Sequence, residues 1–483
     1  MGKKAFLIVD IGGGSSRVGI FSEEGELLTL SDRESIYHVN EAYTDSVYFK
    51  PKEWIETLRE LVHESISKVG DVDIVAVSST SMRQGVVMIG KAGESLIGCP
   101  NSDMRGGDFV DDLDWDKITE ITGLEQGGFY SGFKVLGTQK TEPEVAEKIG
   151  KFTSISDWIG YLFTGKIVWE RSQAGQSMGY DIQKDSWSHE LCELTKIDYT
   201  MLPEIGISGD ILGQVKPELI KEFGLNPEAV FIIGGSDTQM GLAGVQAEKG
   251  DVTAVNGTTT PITMLLDHHR KVPCWISPHV VPNQYMLEIN CGSTGVNAWR
   301  MKKLFFANLS YDEIEKNIKK RNAMPRVLAM FSEGWMLPDD MCTNVGLFMD
   351  DQFDYYVKED EFMQAMYLDV AFQMDQTLKY LATIEPTKKN YILGCGGAFQ
   401  SEIEAQALAD ITGKEVWLPE GYAQGTLFGA YLMCVKAFGI SRGERRLEKI
   451  FFPRENPELV KYHKKWLAYR EKMKLMNDIS VVN

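Results

Sequence analysis

Apolar residues near the start of the chain fall into two runs with a small polar interval between them. Phe6-Leu7-Ile8-Val9 leads to Asp10, Ile11-Gly12-Gly13-Gly14-Ser15-Ser16 interrupts, and Arg17-Val18-Gly19-Ile20-Phe21 resumes. Two runs of strand length around a glycine turn predict a β-hairpin with an acid at its rim. The chain then passes through Glu23-Glu24-Gly25 toward a third strand. In dinucleotide and Walker loops the glycines lead into a helix instead, so this is a different kind of turn.

The same patterning continues downstream. Trp54, Leu58, Leu61, Val62 and Ile66 share one helical face after Pro51, and Ile74-Val75-Ala76-Val77 reads as a buried strand. A helix is expected from Ser156 as N-cap to Gly165. The run Ala229–Ile233 ends at Gly234-Gly235-Ser236-Asp237, with a helix from Thr238. Beyond it, Val252–Val255, a polar turn through Asn256-Gly257-Thr258-Thr259-Thr260, and Pro261–Leu266 repeat the strand, turn, strand arrangement. The repeat suggests a duplicated α/β architecture, residues 1–247 and 248–483, each half offering one turn toward a shared cleft.

In the second half Phe362, Met366, Val370, Met374, Leu378 and Leu381 mark a long helix. Tyr391-Ile392-Leu393 follows as a strand and runs into Gly394-Cys395-Gly396-Gly397-Ala398-Phe399-Gln400-Ser401. Ser401 and Glu404 have the spacing of a capping box at the head of a helix that ends near Gly413. The last forty residues are amphipathic and read as a packed helix.

Composition narrows the class. At 483 residues two domains are the default, and 43% hydrophobic with 25% charged residues is ordinary for a globular chain. A net charge of −19, from 69 acidic and 50 basic residues, argues against general affinity for nucleic acid or anionic membrane. No apolar run has the length of a membrane span and the chain enters a strand at once, so a cytoplasmic location is expected. Seven scattered cysteines without a CxxC pair suit a reducing compartment and argue against zinc.

Four features carry chemistry. Backbone amides at Gly12, Gly13, Gly14 and Ser15 can cradle phosphate, with Asp10 beside them able to hold a metal. Gly257 and Thr258 form a second turn of that size. Gly396, Gly397 and Ala398 make a strand-to-helix junction without side-chain bulk, against which a base or ribose can lie. Asp237, where a strand ends and a helix begins, is either an N-cap or the carboxylate that orients and deprotonates an acceptor hydroxyl. Together the four describe a kinase.

Those residues also carry a resemblance. The chain resembles the FGGY carbohydrate kinases along nearly its whole length, which implies two ribonuclease-H-like domains of the actin/Hsp70/hexokinase-like ATPase fold. The resemblance implies ATP and Mg2+ as cofactors, with Asp10, Gly12 and Arg17 at the phosphates and Asp10 and Asp237 near the metal. It makes Asp237 the base, Gly257 and Thr258 the second phosphate turn, and Gly396, Gly397 and Ala398 the adenosine site. Within the family, Ser81-Met82-Arg83-Gln84-Gly85, Asp103-Met104-Arg105, Ile155-Ser156-Asp157-Trp158, Asp237-Thr238-Gln239 and Pro278-His279-Val280 are most similar to kinases of the autoinducer-2 precursor dihydroxypentanedione. Xylulose, ribulose, glycerol or erythritol are alternative substrates, and a degenerate actin-like nucleotide-binding regulator is the alternative outside enzymes. A homodimer is compatible with the resemblance.

Met82, Arg83, Gln84, Asp103, Asp157 and Gln239 are then the expected substrate contacts. Arg83 with Asp103 reads equally as a structural ion pair, Asp157 as support for a helix terminus, and His279 as a structural histidine. The chain departs from the family pattern at Gly13, where a Thr is usual, at Phe399, bulky enough to narrow or stack on a base site, and at Gln424.

Overall fold

A computed structural model describes residues 2–338, 341–349 and 356–477. The chain divides into two compact units. The first comprises Met1–Gly244, Leu266–Met286 and Gly425–Glu444, the second Val245–Leu265, Leu287–Gln424 and Arg445–Asn483. Where the hydrophobic pattern suggests one change near residue 247, the chain leaves the first unit at Gly244 and returns to it twice.

The first unit is built on a six-stranded sheet in the order Ile211–Gln214, Val230–Ser236, Val72–Ser81, Lys3–Ile11, Ser15–Ser22 and Leu27–Glu34. Its opening strand is buried on both faces, so nearly every residue is apolar. Ala5, Leu7 and Val9 face a core with Trp54, Leu58, Leu61 and Val62 of the helix Pro51–Lys68, and with Trp158 and Phe163 of the helix Ile155–Thr164. Phe6 and Ile8 point the other way, onto Leu427, Tyr431 and Cys434 of the helix Gly425–Ala437. That helix lies so close to the helix Asp237–Gly244 that a Cβ on Gly429 would stand 1.9 Å from the Met240 carbonyl oxygen. A further apolar core joins Val86, Met88, Phe133, Phe152 and Trp169 in the same unit.

The second unit carries the strands Thr259–Leu266, Val252–Val255, Tyr391–Cys395, Glu415–Pro419 and Leu447–Phe451 as sheet neighbours in that order. Val252–Val255 is antiparallel to the strand after its turn and parallel to Tyr391–Cys395. The long helix spans Glu359–Ile384, and the C-terminal amphipathic pattern is the helix Pro457–Lys474. The final six residues of that pattern, 478–483, lie outside the described residues.

Three local expectations shift. The N-cap of the helix Ile155–Thr164 is Ser154, which accepts from the Asp157 N–H, and not Ser156. Ser401 does cap the helix Glu402–Thr412, but the Glu404 carboxylate does not close a capping box; it accepts from Asn256 Nδ2. Phe399 is buried and packs on Gly394. None of the seven cysteines forms a disulfide and all are buried, and no helix among the described residues is long and apolar enough to cross a membrane.

Candidate active site

Register brings the first unit's site together. Lys3–Ile11, Val72–Ser81 and Val230–Ser236 run parallel, pairing Asp10 with Thr80, Gly235 with Thr80 and Ser236 with Ser81. Their carboxyl ends therefore align, and the residues that follow, Met82, Arg83 and Asp237, leave the sheet at the edge that holds Asp10. In open α/β sheets ligands bind beyond this edge.

Asp10 and Arg17 face each other across the hairpin. Arg17 Nη2 donates to Asp10 Oδ2, which also accepts from Thr426 Oγ1 at 2.7 Å, and Arg17 reaches Thr426 Oγ1 at 3.2 Å. Asp10 is 1% exposed, and its Oδ1 has no hydrogen-bond partner among the described residues. A buried carboxylate oxygen left over in this way fits a cation. No group of three His, Cys, Asp or Glu able to hold a metal occurs among the described residues. Mg2+ takes one or two carboxylates from a protein and completes its shell with waters and phosphates, and the left-over Asp10 oxygen is a donor of that kind.

The glycine turn is pinned from outside. Gly12 N–H donates to Ser15 O at 2.9 Å, Ser35 N–H to Gly14 O at 3.0 Å, and the Tyr37 hydroxyl to Gly13 O at 2.9 Å. The Gly13 and Gly14 N–H groups bond to no described residue, the condition an anion cradle requires. Asn101, which sequence reasoning passed over, lies against Gly13; a Cβ there would be 3.4 Å from Asn101 Oδ1 and 3.6 Å from Nδ2.

Asp237 is half-buried at the head of its helix. Its Oδ1 accepts from the Thr238 N–H at 2.7 Å and hydroxyl at 3.3 Å. Burial pushes the carboxyl up to about 6, Arg83 opposing the rise and Asp10 adding to it. A carboxylate in that range still ionises at neutral pH yet accepts a proton more readily than an ordinary one.

The other expected contacts divide by how their side chains are engaged. Arg83 is buried and faces Asp237 electrostatically. Asp103 pairs with Arg105 Nε at 2.9 Å. Asp157 Oδ2 accepts from Ser154 Oγ at 2.5 Å and Glu170 N–H at 3.0 Å, and burial raises its carboxyl to about 7. Gln239 is fully buried, accepting from Ser236 Oγ at 2.6 Å and donating to Ser277 Oγ at 3.2 Å and Pro278 O at 3.3 Å. Met82 Sδ accepts from Asn101 N–H, and Met82 N–H donates to Ile11 O. Gln84 sits at φ 58° with its amide on Gln176 and its carbonyl on the buried Lys134 ammonium at 2.8 Å. His279 is buried, its ring pushed down to about 3, as a neutral structural histidine should be.

In the second unit Gly257 and Thr258 form an exposed turn whose Thr258 carbonyl accepts from Thr294 and Val296, each at 3.2 Å. Gly396, at φ 107°, closes the strand Tyr391–Cys395, and Gly397 and Ala398 open a short 3-10 turn. Thr426, Lys134 and Asn101 are the site neighbours the sequence left unmarked. Only Thr426, following Gly425 at a helix start, carries a local signal.

Parallel strands ending in a carboxylate, with glycine turns in each unit, define a phosphotransferase-like frame. Family models for the N-terminal and C-terminal domains of the FGGY carbohydrate kinases match residues 5–244 and 334–438. YoaC of Bacillus subtilis (strain 168), provisionally named a sugar kinase, is 31% identical over 471 residues, covering 96% of each chain. The chain belongs to the FGGY family of carbohydrate kinases, and it is a sugar kinase whose family uses ATP. Autoinducer-2 kinase of Salmonella typhimurium (strain LT2) is 23% identical, covering 90% of this chain and 86% of its own. In fold the chain is similar to xylulose kinase from Lactobacillus acidophilus, with TM-score 0.80, 20% identity and 98% of both chains covered. Plasmodium falciparum glycerol kinase with ADP is similar too, with TM-score 0.80, 19% identity and 99% of both chains covered.

Proposed function

We propose that this kinase transfers the γ-phosphoryl group of ATP to a primary hydroxyl of a small sugar-like molecule, dihydroxypentanedione foremost, with Asp237 as base. The observation that carries the proposal is the strand register that delivers Asp237 to the same sheet edge as Asp10 and Arg83, where burial raises its carboxyl. Asp237 accepts the hydroxyl proton as the oxygen attacks, and Arg83 holds the carboxylate in line and offers its donors to neighbouring hydroxyls. The Gly13 and Gly14 amides, and that of Thr258, receive the phosphate charge that grows during transfer, while the Gly12 and Gly257 N–H groups close their own turns onto Ser15 O and Thr259 O. Asp10 Oδ1, with Asp237 nearby, would hold Mg2+, which when bound neutralises the β- and γ-phosphate oxygens. Gly396, Gly397 and Ala398 would lie under the adenosine. Met82, Gln84, Asp103, Asp157 and Gln239 act from behind this surface, fixing the segments that carry Arg83 and Asp237. A homodimer is retained as the proposed assembly.

The dihydroxypentanedione assignment rests on the Met82-Arg83-Gln84 and Asp103-Met104-Arg105 blocks together with the likeness to autoinducer-2 kinase over most of the chain. An ADP-release assay with ATP and Mg2+ across dihydroxypentanedione, xylulose, ribulose, glycerol, erythritol and no acceptor tests it. Preferred turnover of dihydroxypentanedione is expected. Brisk turnover of a pentulose or polyol in its place would move the substrate, and ATP binding without turnover of any acceptor would favour a regulator.

A further inference from the structure

The second unit buries a carboxylic acid that the proposed chemistry does not use. Glu404 is 3% exposed in the first turn of the helix Glu402–Thr412, and burial raises its carboxyl to about 8, with Glu315 adding to the rise. Its Oε1 accepts from Asn256 Nδ2, and no cation pairs with it in the described structure. Such a group is costly to bury unless it is hydrogen-bonded, and the partner it has is Asn256.

Asn256 is the residue that both glycine turns of this unit share. It immediately precedes Gly257 and Thr258. Its backbone N–H donates to Cys395 O at 2.7 Å, one residue before Gly396. A Cβ on Gly396 would stand 2.3 Å from the Asn256 carbonyl oxygen, and Gly396 also has positive φ, so only glycine lets the two backbones approach this closely. The Asn256 side chain works in both directions. Its Nδ2 reaches Glu404, while its Oδ1 accepts from Thr260 Oγ1 at 2.9 Å, and Thr260 in turn meets Thr294 Oγ1 at 2.7 Å. Thr294 N–H closes the circuit on the Thr258 carbonyl at 3.2 Å.

We infer that Glu404 is a positioning residue for the nucleotide: through Asn256 it holds the Gly257–Thr258 turn and the Gly396–Ala398 turn in the single arrangement that ATP requires. An unanchored Asn256 amide could rotate away from Thr260, freeing both turns at once. The acid form and an amide are equivalent here, since either presents one oxygen to Asn256 Nδ2. Glu404→Gln should therefore keep the link that Glu404→Ala removes.

This inference rests on reading the two turns as the nucleotide site, and its test separates the two. Amide hydrogen exchange of the unaltered full-length enzyme with and without ADP comes first; protection in both turns is expected, and protection in neither overturns the nucleotide-site reading itself. Steady-state kinetics of Glu404→Ala, Glu404→Gln and Asn256→Ala follow, with melting temperatures alongside. Glu404→Ala should raise KM for ATP by about tenfold, the scale of one lost hydrogen bond with a buried partner. Its kcat should change far less, and its turns should lose ADP protection. Glu404→Gln should retain the wild-type KM. A Glu404→Ala enzyme that melts lower but keeps the wild-type KM, or a Glu404→Gln enzyme as impaired as Glu404→Ala, overturns the inference. Should Glu404→Ala fail to fold, Asn256→Ala decides: it must raise KM for ATP, and an unchanged KM overturns the inference.

Discussion

The Gly12–Gly14 turn and the Gly257–Thr258 turn have the same local plan, strand, polar turn, antiparallel strand, yet they are supported by opposite chemistry. The first stands on charge: Asp10 paired with Arg17 and steadied by Thr426, with one carboxylate oxygen left over. The second stands on neutral hydrogen bonds among Asn256, Thr260 and Thr294, ending at a buried acid. Ionised groups at the first can hold a cation and shift a neighbouring carboxyl, as Asp10 does for Asp237. The neutral frame of the second can only set shape. On the proposed function, these similar turns would divide the work, one serving the reacting groups and one holding the nucleotide.

Asp237→Asn tests that division most severely. It should lower kcat by about a thousandfold, within the range of a positioned base, while ADP protection of the second unit's turns persists; loss of that protection would show that the two supports are not separable. The same variant has a stability signature. The folded-state carboxyl sits at about 6 against an ordinary 3.8, so the folded chain binds the proton more tightly. The group therefore favours the fold as pH falls through that window and opposes it above about 6. Asp237→Asn should melt higher than the natural enzyme on the alkaline side of that value, the gap closing on acidification. An equal gap at both ends would remove burial of charge as the cause.

Asp10→Asn comes next. It should raise the Mg2+ needed for half-maximal activity by about 10–100-fold, and an unchanged Mg2+ requirement would leave Asp10 as no more than a partner for Arg17. The natural enzyme's kcat/KM should fall as pH drops through about 6, where Asp237 takes up its proton; a flat profile there would remove Asp237 as the base. Asn101→Ala, the mildest case, removes the amide that lies against Gly13 and should lose about threefold to tenfold in kcat/KM, the scale of one hydrogen bond, on the reading that this amide serves the phosphate as a donor. Adding Gly13→Thr in that background should restore part of it, because the space Asn101 vacates admits the new side chain. No loss in the single variant would show that the first turn needs no side-chain donor.

Much of this frame is legible in the sequence because it depends on local period and turn chemistry. The opening hairpin, the second strand, turn, strand unit and the strand that delivers Asp237 all follow from apolar runs bounded by glycine. Side-chain pairing is harder to read, since it depends on which residues the register brings together. Arg105, only two residues from Asp103, pairs with it, a contact that no sequence motif announces. Glu404 satisfies the spacing of a capping box, but the tertiary partner Asn256 wins over the local one. Phe399 looks like a lid for a base, yet the bare Gly394 beneath it offers the ring a place in the core. Asn101 and Lys134 belong to no motif and become visible only when the loops they hold are seen.

The helix Gly425–Ala437 has a consequence for how this chain is made. It covers the face of the opening strand that bears Phe6 and Ile8, and its Gly429 seats it against Met240. On the ribosome, that face emerges hundreds of residues before its cover. Until residue 437 has been synthesised, Phe6, Ile8 and Phe21 lack the Leu427, Tyr431 and Cys434 side chains that complete their cover. Gly429→Ala, which disturbs the seat by about 1–3 kcal/mol, should therefore reduce the yield of soluble enzyme made in cells more than it reduces the activity of the molecules that do fold.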